Sequence, residues 1–117
     1  MNSPSYQTLT RDISSHLTPL RNGQPQLMQG FGAMSKAAMA PGRIDAKTKE
    51  LIAMAIGVAA RCDGCIGFHA QALVRLGASE EELHETLGVA VYMGGGPSLM
   101  YAANAIAAFR EFAAADV

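Results

Sequence analysis

Cys62 and Cys65 are the only two cysteines in this chain of 117 residues, and they form a C-x-x-C. His69 lies four residues beyond the second, and Glu50 lies twelve residues before the first. This set can make, use and regenerate a thiolate. At a helix N-terminus, the dipole and free N–H groups stabilise a negative sulfur, which on that ground favours Cys62 as the more acidic thiol. His69 can take the proton, or favour the thiolate as imidazolium. Glu50 can orient His69 or carry the proton onward. The thiolate then attacks an electrophile, most naturally a peroxide oxygen, to give a sulfenic acid that the second cysteine resolves to a disulfide. An external dithiol must reduce that disulfide. Two other chemistries fit the same residues. The motif could hold zinc, with Glu50 as a fourth ligand, although three of those ligands would lie on one helical face. The cysteines could also be small buried hydrophobes. Redox chemistry ranks first, metal second and inert packing third. For Glu50 the plain alternative is a surface carboxylate paired with Lys47 or Lys49.

Helices must position these groups. Cys62, Cys65, His69, Ala72 and Leu76 follow a 3-4-3-4 spacing and share one face of a helix that starts at or just before Cys62 and is closed by Gly77. Asp45 caps the helix before it, about Ala46 to Ala60, whose apolar residues point all round and call for burial by core or another subunit. Upstream, Ser3-Pro4 is a helix start, Leu9, Ile13 and Leu17 form a stripe, and Pro19 stops that helix. Asn22-Gly23 is a turn, and Pro25 opens a Met-rich helix ending before Pro41, whose apolar stripe is core or subunit packing. Downstream, Ser79 and Glu82 form a capping box for a helix that buries Leu83, Leu87, Ala90 and Val91. His84, among acidic neighbours, reads as a solvated histidine, and so does His16. Gly94-Gly95-Gly96-Pro97 is an interhelical turn, since it lacks the spacing and the lysine of a phosphate loop. The last helix carries Leu99, Ala103, Ile106 and Phe109 and frays after Phe112.

The totals agree. Half of the residues are hydrophobic, few are β-branched, and the composition favours an all-α fold in a single domain over 1–117, with residues 1–8 flexible. No uninterrupted apolar stretch is long enough to span a membrane. A net charge of −1 with no basic block gives no reason to expect nucleic acid. No export signal is visible at the start, so the expected location is the reducing cytoplasm, where a C-x-x-C is more often redox-active or metal-binding than a structural staple.

With Glu50, Cys62, Cys65 and His69 spaced E-x11-C-x-x-C-x3-H, the chain resembles the AhpD-like alkylhydroperoxidases of the carboxymuconolactone decarboxylase superfamily. The stretch from DAKTKELIAMAIG to PSLMYAANA looks like the family core, and the upstream GFGAMSKAAMAPGRI looks like its small single-domain members. The resemblance implies an AhpD-like bundle of about six helices with the C-x-x-C opening a central one. It implies thiol-dependent reduction of a small hydroperoxide, with no bound cofactor or metal, regenerated by a reductant protein or small dithiol. It also implies a homo-oligomer, commonly a trimer or hexamer. Cys65 would be the peroxidatic nucleophile and Cys62 the resolving thiol, against the dipole argument, with His69 and Glu50 as proton relay. The sequence departs from the best-studied members at Gly64, where they carry a histidine between the cysteines. Two alternatives stand beside the peroxidase. One is a decarboxylase-type lyase, which does not depend on the cysteine pair. The other is a redox-sensing or metal-binding oligomeric module without significant turnover.

Overall fold

The computed structural model describes residues 5–115 and is helical throughout, with no strand among them. The helices are α1 (Tyr6–His16), α2 (Thr18–Gly23), α3 (Pro25–Met39), α4 (Ala46–Ala59), α5 (Asp63–Arg75), α6 (Glu80–Gly94) and α7 (Gly96–Ala115). Six are long. The short α2 is the extra one, because Pro19 falls in its first turn and opens a helix where the sequence reading had it only end one. The AhpD-like helical bundle is therefore present. No helix among the described residues is long and apolar enough to cross a membrane.

The termini of the central helices follow the local signals. Asp45 accepts a hydrogen bond from the Thr48 N–H at 2.8 Å and caps α4. Ser79 and Glu82 complete the capping box of α6 in both directions, at 3.1 and 2.9 Å. Helix α5 ends in a Schellman motif, with the Ala78 N–H donating to Leu73 O and Gly77 at φ 75°. Helix α4 ends in the same way, but the left-handed position is held by Arg61, at φ 58°. The Cys62 N–H donates to Gly57 O, so Cys62 closes α4 and caps α5 at once.

The core lies where α4, α5, α6 and α7 meet. Met54, Val58, Ile66, Leu73 and Leu83 are the largest side chains fully shielded from solvent. In α7 the buried face is Ser98, Ala102, Ala105, Ala108, Phe109 and Phe112, and the helix continues to Ala115. The stripe expected there was displaced: Leu99 is 52% exposed. So many alanines leave the helical period weakly marked, and the two phenylalanines set the register.

Helix α1 begins inside the stretch 1–8 that was expected to be flexible, and residues 6–8 are helical. Ser3-Pro4 lies outside the described residues, but Ser5 caps α1 and Tyr6 is buried. Glu111 on α7 accounts for this order. Its carboxylate accepts from the Tyr6 N–H at 2.9 Å, the Gln7 N–H at 2.8 Å and the Ser5 hydroxyl at 2.7 Å. Burial alone would raise the Glu111 carboxyl, but those bonds outweigh it and hold the group below its ordinary value. On its other side α1 lies hard against α5. A Cβ on Gly67 would sit 2.6 Å from the Thr10 Cγ2 methyl.

Helix α3 stands apart, without a buried residue, and packs only on α2 and α4. Its ridge of Leu27, Phe31 and Met34 is about 60% exposed at each position. The radius of gyration, 14.6 Å, exceeds the roughly 13 Å typical of a compact chain of this length, in keeping with that projection. The Met-rich stripe is thus not core within one chain. The same holds for part of α4, where Ile52 and Ile56 face outward and the core of one chain leaves them uncovered.

Two outcomes follow for stability. Gly67→Ala should lower it by about 1–3 kcal/mol in urea unfolding, because the new methyl overlaps Thr10. Adding Thr10→Ser, which removes that Cγ2 but keeps the hydroxyl bonded to Tyr6 O, should recover much of the loss. The second concerns acid. The Glu111 carboxyl is depressed in the folded state, so its contribution is present above its ordinary value of about 4.5 and fades as pH falls through the lower folded value. Glu111→Gln should therefore be less stable at neutral pH and lose less on acidification, as urea midpoints across that range would record. Asp45, Glu80 and Glu82, also depressed, keep some acid sensitivity in the variant.

Candidate active site

The site forms at the corner between α4 and α5. The sharp turn at Arg61 and Cys62 folds α5 back along α4 so closely that a Cβ on Gly57 would lie 3.2 Å from Cys65 Cβ. Cys62 occupies the N-cap of α5, and its sulfur accepts from the Cys65 N–H at 3.1 Å. The two cysteines are joined as a disulfide with their Cα atoms 5.2 Å apart. A cysteine pair at disulfide distance thus stands at a helix N-terminus.

One turn beyond Cys65, His69 meets Glu50 across the α4–α5 interface, with Nδ1 and Oε2 2.7 Å apart. A carboxylate that is ionised only accepts, so in that pairing Nδ1 is the donor. The Glu50 side chain is 14% exposed, and a carboxylate that far from water needs such a partner. The plain surface reading of Glu50 is displaced by its neighbours. Lys47 pairs with Glu82 at 2.8 Å, and Lys49 donates to Ala38 O and Ala40 O at the end of α3. The remaining histidines stand outside the site. His84 is exposed and lies 3.1 Å from Glu80, which also takes a two-pronged contact from Arg110. His16 is exposed at the end of α1.

Between the cysteines, Gly64 faces α1. A Cβ there would meet Ile13 Cδ1 at 2.8 Å, so Ile13 fills the space that a side chain at this position would use. Asp63, the other residue inside the motif, was not singled out from the sequence. Its Oδ1 accepts from the Tyr6 hydroxyl at 2.7 Å and from Asn104 Nδ2 at 3.2 Å. Burial and the bond to Asp63 push the Tyr6 hydroxyl well above the ordinary phenol range. The partners are 57 and 41 residues away in sequence, and no local pattern announces them.

Among the described residues no group of three or more His, Cys, Asp and Glu is arranged to hold a metal ion. A cleft of about 530 Å³ between α1, α5 and α7 contains none of the four motif residues. It runs along the face of α5 that carries Phe68, Gln71 and Arg75.

Residues 25–108 match the model of the carboxymuconolactone decarboxylase family. A protein of that family from Legionella pneumophila, solved in its apo form, superposes with a TM-score of 0.90 at 58% identity, over 92% of this chain and 96% of that one. A second family member, from Thermotoga maritima, for which involvement in an antioxidative response has been suggested, gives a TM-score of 0.72 at 32% identity, over 78% of this chain and 94% of that one. An uncharacterized protein of Cupriavidus necator is 39% identical over 108 residues, which is 86% of this chain and 96% of the relative. The chain belongs to the carboxymuconolactone decarboxylase family.

Proposed function

We propose that this protein is a thiol-dependent peroxidase of the alkylhydroperoxidase type, acting on small hydroperoxides in the cytoplasm. The observation that carries the reading is the pairing, at one helix corner, of a redox-competent C-x-x-C with a hydrogen-bonded Glu50–His69 couple. The antioxidative role suggested for the Thermotoga relative supports it.

The cycle starts from the dithiol. His69 Nε2 takes the Cys65 proton, and Glu50 stabilises the imidazolium through Nδ1. The Cys65 thiolate attacks the distal peroxide oxygen. The O–O bond breaks, the alkoxide takes a proton from the imidazolium and leaves as alcohol, and Cys65 becomes a sulfenic acid. Cys62 attacks the sulfenic sulfur, water leaves, and the disulfide seen in this structure forms. A reductant protein or small dithiol then returns two electrons and two protons by thiol–disulfide exchange. The N-cap position still favours Cys62 as the more acidic thiol. The family likeness, and the shorter step from Cys65 to His69, assign the nucleophile to Cys65.

The protein acts as a homo-oligomer in this reading, a trimer or hexamer. Support comes from the uncovered ridge of Leu27, Phe31 and Met34 on α3, and from an apolar groove lined by Leu51, Ile52, Ile56 and Val89 between α4 and α6. Patches of this kind are rare on monomers.

One equivalent of an organic hydroperoxide should remove two hydrogens from the reduced protein, as read by intact-mass spectrometry. Cys62→Ser should stop at a gain of one oxygen, and Cys65→Ser should not react. His69→Ala and Glu50→Gln should still reach the disulfide, with His69→Ala slower by about 10²–10⁴-fold, the usual worth of a general base. Full turnover by Cys65→Ser would sink the peroxidase reading. For assembly, light scattering should give three or six times the chain mass, and Phe31→Asp should shift the population to smaller species. A monomeric parent protein would remove the oligomer from the proposal.

A further inference from the structure

Asp63 is the residue of the site that the relay does not use. It sits between the two cysteines at the first position of α5, and its carboxylate is tied to two other helices. Both donors, the Tyr6 hydroxyl on α1 and Asn104 Nδ2 on α7, converge on one oxygen, as suits an ionised carboxylate. Tyr6 is itself fixed, because its N–H donates to Glu111 on α7 and its ring lies in the core. A closed polar circuit thus runs from α7 through the start of α1 to the C-x-x-C and back to α7.

Such a circuit does two things. It pins the turn that carries both sulfurs to rigid helices, so the first turn of α5 keeps its shape as the disulfide opens. It also places a negative charge at the helix end where thiolates are otherwise favoured, and the two donors draw part of that charge away. We infer that Asp63 is a positioning residue for the dithiol, and that Tyr6 and Asn104 set how strongly its charge opposes ionisation and reduction of the cysteine pair. The inference rests on the dithiol chemistry proposed above, but not on the identity of the oxidant.

The two halves of the device have opposite electrostatic signs. Asp63→Asn removes the charge and keeps an oxygen that accepts from Tyr6 and Asn104. Tyr6→Phe keeps the ring in the core and returns the full charge to the carboxylate. The other ionisable groups about the turn are Arg61 before it, His69 with Glu50 from the α4 side, and Tyr101 and Glu111 acting on Tyr6. All of them are unchanged in these variants.

The test is the equilibrium of the whole protein with glutathione, in which two glutathione thiols reduce one protein disulfide to two thiols and yield oxidised glutathione. It is read alongside the thiolate ultraviolet absorbance of the reduced protein against pH. Asp63→Asn should favour the dithiol by about three- to tenfold and bring thiolate absorbance in at lower pH, as expected for loss of a charge several ångströms away. Tyr6→Phe should shift both readouts the other way, and Asn104→Ala should follow Tyr6→Phe by a smaller amount. Loosening of the turn alone would move all three variants in one direction, and that result, or no movement, overturns the inference. None of these readouts involves peroxide, so failure of the peroxidase reading would show in the turnover assays and leave this result intact.

Discussion

The tight crossing of α4 and α5 is the constraint on which the site depends. Gly57 has no side chain where Cys65 comes closest, and the chain reverses between them in a turn so short that Cys62 serves both helices. Arg61 adopts the left-handed conformation there, at a cost on the order of 1 kcal/mol for a residue with a Cβ. That strain is repaid by the two Schellman bonds and by the packing that the corner permits. Only with the helices this close does Glu50, from the start of α4, reach His69, from the middle of α5. The distance of 2.7 Å between them is a consequence of backbone geometry seven residues away from Glu50.

Helix α1 is the second layer of the same design. It lies outside the residues matched by the family model, yet it touches the C-x-x-C segment from Tyr6 to Ile13. Gly64 and Gly67 let it approach, and Glu111 and Asp63 anchor its first turn. Gly64 stands where the best-studied alkylhydroperoxidases carry a histidine. Ile13 occupies that side of the motif here. Among the described residues the histidine on this helix is His69, and its carboxylate partner is Glu50. Between Cys62 and Cys65 the chain thus presents backbone covered by an apolar side chain of α1.

Signals confined to a few neighbouring residues were legible in the sequence. The caps at Asp45 and Ser79, the stop at Gly77 and the dithiol at a helix start all depend on contacts within one turn, and the residue types alone imply them. Pairing of Glu50 with His69 was suggested by chemistry and by resemblance, since the spacing of nineteen residues sets no geometry by itself. The Tyr6–Asp63–Asn104 cluster was illegible because three separate helices supply it. The face of α7 was misread for a different reason. Alanine is apolar enough to be buried and small enough to be exposed, so a run of it carries little information about register.

The exposed side of α3 looks unrelated to the sulfurs, but α4 joins the two. Lys49 grips the last carbonyls of α3 at 2.9 and 2.7 Å, and the next residue, Glu50, holds His69. Farther along α4, Ile52 and Ile56 line the uncovered groove, while Met54 and Val58 point into the core. One helix of fourteen residues thus holds the end of α3, lines the groove and supplies the carboxylate that bonds His69. Two consecutive residues, Lys49 and Glu50, therefore tie the end of α3 and the Glu50–His69 pair to the same turn of α4.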